Sequence, residues 1–185
     1  MAVLLNLRDL LSHEIDDLYS AEEQIIEALP KMVAKATDRE LKKALQDHLA
    51  VTRNQKKRLD QVRTILKKGE AVPEEKKGLL SRIFGSNTKC KGTEGLITEG
   101  EKMMGEDMDP TVKDAAIIAS AQKIEHYEIS SYATVCIWAR ELKLPAAGKL
   151  LVQSLCEEKL FEETLNSLAD TRNLPAELRD RLVGT

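Results

Sequence analysis

The segment from Asp114 to Lys143 reads DAAIIASAQKIEHYEISSYATVCIWARELK and carries no charged side chain between Glu128 and Arg140. Apolar or small residues fall on nearly every face of the helix that its periodicity predicts, which indicates a helix buried on more than one side. Two glutamates, Glu125 and Glu128, nevertheless lie at its centre, each on a stripe that is otherwise apolar. The segment therefore predicts a core helix that carries acids into the protein interior.

The composition of the whole chain favours an all-α protein. Its 185 residues are 42% apolar and 32% charged, which suits a solvated domain with a core, and only 3% are aromatic. A β-sandwich or barrel draws more heavily on aromatic residues and turns. The formal net charge of −3 gives no electrostatic basis for binding nucleic acid. No apolar run is long enough to cross a bilayer, so we expect neither nucleic acid nor a membrane as a partner.

Hydrophobic periodicity predicts four long helices and a short one. Asp38 and the pair Asp109-Pro110 are typical helix starts, and Pro30 inside the first helix predicts a kink. The long connection between the second and third long helices favours a four-helix bundle in up-down-down-up order, with the short helix in this crossover. We expect residues 1–172 to form the bundle and residues 173–185 a tail with a short helix or turn. The predicted helices run from about Leu5 to Ala36, Asp38 to Lys68, Thr93 to Glu106, Pro110 to Leu142 and Pro145 to Asp170.

Polar residues interrupt the apolar stripes near the middle of the other three long helices as well. Buried unpaired carboxylates are costly, so a cluster of them must be protonated, paired with cations or bound to metal. Carboxylates and imidazole on facing helices bind Fe, Mn or Zn, and inward acids build two-metal sites in bundles. The candidate metal ligands are therefore Glu22, His48, Glu125, Glu128, Glu158 and Glu162.

A scaffold without bound metal is the alternative interpretation. A single acid on an apolar stripe is more often half-exposed or one arm of an ion pair, and Lys123, Lys159 and Arg53 are available as partners. His48 alone is more often a buried histidine with satisfied hydrogen bonds. On this interpretation the acids are paired or protonated, and the protein acts through dimerisation and partner binding without enzymatic activity.

The cysteines and the N-terminus predict a cytoplasmic protein. Cys90, Cys136 and Cys156 lack the spacing of a zinc site, which indicates free thiols in a reducing compartment. Cys136 and Cys156 fall on apolar stripes, where we expect them to pack as small hydrophobic residues. The N-terminal sequence MAVLLNLRDLLSHEIDD has neither the basic region nor the cleavage site of a signal peptide.

Several segments follow one family pattern, among them DLYSAEEQ (Asp17–Gln24), EGLITEGE (Glu94–Glu101) and, most specifically, AQKIEHYEI (Ala121–Ile129). In these segments the chain resembles the YciF/YciE-like family, bacterial stress-associated proteins with a ferritin-like fold that are related to rubrerythrins and bacterioferritins. The resemblance implies a ferritin-like bundle, a homodimer, and a di-iron-type carboxylate centre for handling oxidant or iron. Carried onto this chain, that centre would hold one or two Fe or Mn ions with Glu22, Glu125, Glu128 and Glu158.

Two positions depart from this pattern. Val51 stands where these proteins usually carry a glutamate on the second helix, and Phe161 stands where the fourth helix of an ordinary ferritin supplies a histidine. A two-metal site short of its second-helix carboxylate is weaker, mononuclear or lost, so enzymatic turnover stays open. The sequence GLLSRIFG (Gly78–Gly85) looks like an addition to the crossover, with a lid or a contact surface as its expected role.

Overall fold

A computed structural model of the chain describes residues 4–68 and 89–173. These two stretches contain five α-helices and no strand, which confirms the all-α prediction. Within them, no helix combines the length and the apolar character needed to span a membrane. The GLLSRIFG segment and residues 174–185 of the predicted tail lie outside the described residues. The helices are α1 (Leu7–Lys35), α2 (Arg39–Lys68), α3 (Lys91–Gly105), α4 (Pro110–Glu141) and α5 (Pro145–Asn173).

Side-chain caps begin α2 and α4 at the predicted positions. A carboxylate oxygen of Asp38 accepts a hydrogen bond from the backbone N–H of Leu41 at 2.8 Å. Asp109 accepts from the backbone N–H of Thr111, also at 2.8 Å, and Pro110 is the first residue of α4. Each cap satisfies a backbone donor that has no partner inside the first helical turn.

Contacts between side chains fix the directions of neighbouring helices. Arg8 at the start of α1 donates to the carbonyl of Leu66 near the end of α2 at 2.9 Å, so these helices are antiparallel. A short turn joins α4 to α5, and Gln122 of α4 donates to Asn166 of α5 at 2.6 Å, so they too are antiparallel. Helices α2 and α5 also pack together, as do α1 and α4.

Helix α3 packs on α1 and α4, and Cys90 anchors its start. The Cys90 backbone N–H donates to the hydroxyl of Ser20 at 2.9 Å. Its thiol and the hydroxyl of Tyr127 both donate to one oxygen of Asp17, at 2.9 and 3.0 Å. The short helix predicted in the crossover is thus held against the two long helices by polar contacts at its first turn.

The cysteines partly match the sequence-based expectation. All three are free thiols, as predicted. Cys90 is buried and Cys136 is half-buried, whereas Cys156 is exposed on α5. The prediction that Cys156 packs as a small hydrophobic residue was therefore wrong, because Cys156 lies on a solvent-exposed face of α5 together with Val152 and Leu160.

Asp114, near the start of α4, holds the turn between α1 and α2. Its two carboxylate oxygens accept hydrogen bonds from the backbone N–H groups of Thr37 and Asp38, at 2.7 and 2.9 Å. The Thr37 hydroxyl donates to it as well, at 2.5 Å. The carboxylate is only 4% exposed, so one side chain supplies the acceptors that this turn lacks locally.

Two hydrophobic clusters fill the interior. Along each of the four long helices, buried polar residues separate the residues of one cluster from those of the other. Each fully buried aliphatic side chain of a cluster contributes about 1.5–3 kcal/mol to folding. Both stripes of α4 are buried at the middle of the helix, as its sequence predicted, through Glu125 and Tyr132 on one stripe and Ile124 and Glu128 on the other. Toward its later end, Cys136 and Trp138 are half-buried. The first cluster contains Ile25, Leu29, Leu41, Leu45, Ile118, Ile124 and Leu165, and the second contains Leu11, Ile15, Leu18, Leu59, Val62, Val135 and Leu151.

Candidate metal centre

Four of the predicted ligands converge between the two clusters. His48 of α2, Glu125 and Glu128 of α4, and Glu158 of α5 each present one ligand atom, and these atoms lie within 4.8 Å of one another. Glu125 and Glu128 share one face of α4 because residues three positions apart on a helix are neighbours. All four side chains are buried, with no more than 3% of any residue exposed.

The imidazole of His48 faces two of the carboxylates. Its Nε2 lies 3.4 Å from Glu125 Oε1 and 3.7 Å from Glu158 Oε2, yet it makes no hydrogen bond. Burial lowers the pKa of His48, although the charge of Glu158 opposes the effect. The neutral imidazole that burial favours is the form that binds a metal ion.

Two of the buried carboxylates, those of Glu158 and Glu22, each accept a hydrogen bond at one oxygen, while their second oxygen has no partner. Gln55 Nε2 donates to Glu158 Oε1, and the Tyr132 hydroxyl donates to Glu22 Oε1. Helical periodicity places Gln55 and Tyr132 on inward stripes, but the sequence alone does not pair them with these carboxylates. Such donors fix the orientation of a carboxylate, a role that the outer partners of metal ligands commonly fill.

The remaining buried atoms have no partner within the described stretches. Leaving a buried polar atom unpaired costs about 1–3 kcal/mol, and more for a charged group. One cation would be a common partner for the ligand atoms that His48, Glu125, Glu128 and Glu158 present within 4.8 Å of one another. Carboxylate oxygens with an imidazole nitrogen are ligands that suit Fe or Mn. The donor set therefore fits the predicted metal. The unpaired atoms of the acids and the histidine are Glu22 Oε2, His48 Nε2, Glu125 Oε2, Glu128 Oε1 and Oε2, and Glu158 Oε2, and the amide oxygen Oε1 of Gln55 beside them is unpaired as well.

Burial and mutual repulsion raise the pKa values of four buried carboxyl groups, those of Glu22, Glu125, Glu128 and Glu158. Burial raises the pKa of Glu125 to about 8; a hydrogen bond with Glu158 lowers it and the charge of Glu162 raises it further. Burial, and then the charge of Glu158, raise the pKa values of Glu22 and Glu128 well above the ordinary value. Without a cation, these groups must therefore take up protons.

The structure places Glu22 and Glu162 outside the group of four. Glu22 is fully buried on α1, and its charge is among the causes that raise the pKa of Glu128, after burial and the charge of Glu158. The side chain of Glu162 is 20% exposed. Its Oε1 accepts from Asn166 Nδ2 at 2.7 Å and lies 3.5 Å from His126 Nε2. Glu22 thus adjoins the cluster, whereas Glu162 lies toward solvent.

The cations considered as alternative partners point elsewhere. Lys123 pairs with Glu99 at 2.5 Å on the surface, and Arg53 and Lys159 are exposed. In residues 4–68 and 89–173, the ion pairs include no Lys or Arg nitrogen within 4 Å of an oxygen of Glu22, Glu125, Glu128 or Glu158. Pairing with these cations therefore does not account for the buried acids.

Comparison with known proteins gives a consistent set of similarities. Residues 6–177 match a protein family described as "Domain of unknown function (DUF892)". Protein YciF of Escherichia coli is 37% identical over 163 residues, which are 88% of this chain and 90% of that protein. The solved structure of the E. coli stress protein YciF superposes with a TM-score of 0.78 at 36% identity, covering 90% of this chain and 96% of that one. A Rhodopseudomonas palustris protein, described as "YcfI, a putative structural protein", has a TM-score of 0.75 at 42% identity, with 88% and 94% covered.

Proposed function

This chain belongs to the YciF-like DUF892 family, and from that membership we propose that it is a ferritin-like, metal-binding stress-response protein. The convergence of unpaired buried ligand atoms is the observation that carries the proposal. His48, Glu125, Glu128 and Glu158 would hold an Fe or Mn ion, and Glu22 would complete a site for a second one. A redox-active ion held there would exchange electrons with an oxidant or take part in the oxidation of ferrous iron.

The protein residues have separate tasks in this proposal. The carboxylates of Glu22, Glu125, Glu128 and Glu158 would together neutralise two divalent cations, and the neutral imidazole of His48 would add a nitrogen ligand without adding charge. Gln55 and Tyr132 orient Glu158 and Glu22 through their hydrogen bonds. The two flanking hydrophobic clusters exclude water from the site, which strengthens every electrostatic interaction inside it.

The helix directions support the ferritin-like part of the proposal. Helix α1 is antiparallel to α2, and α4 is antiparallel to α5. Asp114 near the start of α4 accepts from Thr37 just beyond the end of α1, so α1 and α4 are antiparallel as well. This arrangement suits an up-down-down-up bundle over residues 1–172, with α3 in the crossover. We also propose that the protein is cytoplasmic, as its free thiols suggest, and that it forms a homodimer, as the family resemblance implies. A sedimentation equilibrium mass of a single chain would contradict the dimer.

Elemental analysis of protein purified without chelator tests the metal site. We expect one or two Fe or Mn ions per chain, lost in Glu128→Ala. The matched control is Glu163→Ala, which removes an exposed glutamate from α5 and should retain the metal. Metal at background level in the wild-type protein, or equal metal in Glu128→Ala, would overturn the proposal.

A structural scaffold is the second candidate function. Two observations favour it: α2 presents Val51 where the family pattern has a glutamate, and the R. palustris relative is described as a putative structural protein. A scaffold requires no ion, so adding Fe²⁺ or Mn²⁺ should leave its melting temperature unchanged. A metal-dependent rise in the melting temperature that disappears in Glu158→Gln would contradict the scaffold, because a ligand that binds only the folded state stabilises it.

A further inference from the structure

Glu162 lies between the buried group of ligands and solvent. It lies one helical turn beyond Glu158 on α5, so the two side chains are neighbours on one face. Glu158 is fully buried, whereas 20% of the Glu162 side chain is exposed. On its outer side, Glu162 meets His126, whose side chain is 69% exposed. The residues thus form a graded series of ligand types from the surface to the core.

The Glu162 carboxylate is also held in place while one of its oxygens stays available. Asn166 Nδ2 donates to Oε1 at 2.7 Å, and Asn166 in turn accepts from Gln122 at 2.6 Å. Within the described residues no donor reaches Oε2, so this oxygen is free to replace a water molecule on a passing ion. His126 Nε2, 3.5 Å from Oε1, adds a second ligand atom of the type that Fe and Mn accept.

The negative charge of Glu162 acts on Glu125 inside the cluster. Burial raises the pKa of Glu125, and the charge of Glu162 adds to that effect, so the two carboxyl groups are electrostatically connected. Glu125 is 2% exposed and its Oε2 has no partner. On the inner side of Glu162, the unpaired and buried Oε2 of Glu125 is the kind of ligand atom that would draw the cation inward.

We propose that Glu162, assisted by His126, is the docking point through which a divalent cation reaches the buried cluster. The inference rests on the proposed function, since it requires that the cluster bind metal. In this role Glu162 positions and steers the ion, and the cluster holds it. Loss of Glu162 therefore slows filling of the site but leaves its capacity intact. Carboxylates at the mouth of a site raise the local cation concentration and the association rate by about tenfold or more.

Rapid mixing of metal-free full-length protein with Fe²⁺ under anaerobic conditions measures this role. At set times an excess of a coloured Fe²⁺ chelator captures the unbound iron, which gives the filling rate, and the long-time value gives the capacity. The variants are Glu162→Gln and Glu163→Gln, which remove the same charge from adjacent positions; Glu163 is exposed. We expect a roughly tenfold slower rate in Glu162→Gln, an unchanged rate in Glu163→Gln, and equal capacities.

Three results would overturn the inference. Equal filling rates in the two variants would show that Glu162 does not steer the ion, and a reduced capacity in Glu162→Gln would make it a permanent ligand. Circular dichroism shows whether Glu162→Gln folds. If it does not, the rate at which the wild-type protein fills with Fe²⁺ must still fall steeply from low to high salt, because solvent-facing charges are screened. A filling rate that does not depend on salt would also overturn the inference. Absence of iron from wild-type protein at long times is a distinct result, and it contradicts the proposed function itself.

Discussion

The imidazole of His48 and the phenyl ring of Phe161 lie face to face, with their centroids 3.7 Å apart and their planes inclined by 8°. Phe161 stands on α5 where the ferritin pattern has a histidine, while the histidine of this cluster comes from α2. The aromatic face of Phe161 and the body of His48 fill the same layer, which fixes the plane in which Nε2 can meet a ligand. A position that looked like a loss in sequence thus acts as the support of the nitrogen ligand.

Replacing Phe161 with leucine should weaken both the fold and the metal site. The loss of the stacked ring is expected to lower the free energy of unfolding of the metal-free protein by about 1–3 kcal/mol. Metal affinity should fall about 10-fold or more, as for other supports of metal ligands. Urea denaturation and Mn²⁺ titration measure these effects. The control is Leu160→Ala, because the Leu160 side chain is largely exposed. If Leu160→Ala lost as much metal affinity as Phe161→Leu, a specific role for the stacked ring would be contradicted.

Tyr132→Phe removes the hydroxyl that donates to Glu22. The phenyl ring keeps its place in the core, but one more oxygen of a fully buried carboxyl group loses its donor. We expect the free energy of unfolding of the metal-free protein to fall by about 1–3 kcal/mol. Urea denaturation in the presence of a chelator checks this value, and a change below about 0.5 kcal/mol would show that the hydroxyl does not support Glu22.

The metal-free protein should lose stability as the pH rises. The buried carboxyl groups have pKa values above the ordinary 4.5, about 8 for Glu125, so the folded state binds more protons than the unfolded state. The stability tied to these protons is complete below about pH 4.5 and is lost as the pH rises toward 8. Each such proton gives a slope of about 1.4 kcal/mol per pH unit.

Chemical denaturation between pH 5 and 8, with a chelator and then with saturating Mn²⁺, measures this dependence. The ion replaces the protons, so its stabilisation should grow with pH. Glu128→Gln keeps the size of the side chain and removes one titrating group, so it should flatten the metal-free slope. A metal-free protein whose stability rises between pH 5 and 8 would contradict the raised pKa values.

A pair of glycines in α3 offers a test of packing at its anchor. A Cβ added to Gly92 would lie 2.7 Å from Cε2 of Tyr127, whereas one added to Gly95 would meet nothing within 4 Å. We expect Gly92→Ala to destabilise the protein by about 1–3 kcal/mol, because the Tyr127 ring must move away from Asp17. Gly95→Ala should stabilise it by about 0.5–1 kcal/mol. Thermal melts of the two variants check this, and equal shifts would contradict close packing of α3 on Tyr127.

The sequence predicted the helices and the inward acids because both follow from periodicity along one chain segment. Glu125 and Glu128 fall on stripes that are otherwise apolar, so their burial could be inferred without knowing any neighbour. The same reasoning placed His48 and Glu158 in the interior, and the structure brings all four together. What the prediction needed was only the phase of each helix relative to the core.

Features that depend on the register between helices were not predictable in this way. Gln55 reaches Glu158 only because α2 and α5 meet at one particular level. Glu158 and Glu162 share a stripe, but only their positions along the bundle axis decide that one is buried and the other faces solvent. Cys156 shows the same limit, since its stripe was apolar by composition and yet lies exposed.

The Asp114 carboxylate binds the backbone of Thr37 and Asp38, which precede it in the chain by 77 and 76 positions. The backbone donors at the α1–α2 turn therefore stay without this acceptor until the first turns of α4 have formed and docked. A nascent N-terminal hairpin emerging alone would have a frayed tip, and its amides at Thr37 and Asp38 should be protected from hydrogen exchange only late in refolding. One buried aspartate thereby makes completion of the N-terminal hairpin wait for the C-terminal half of the chain.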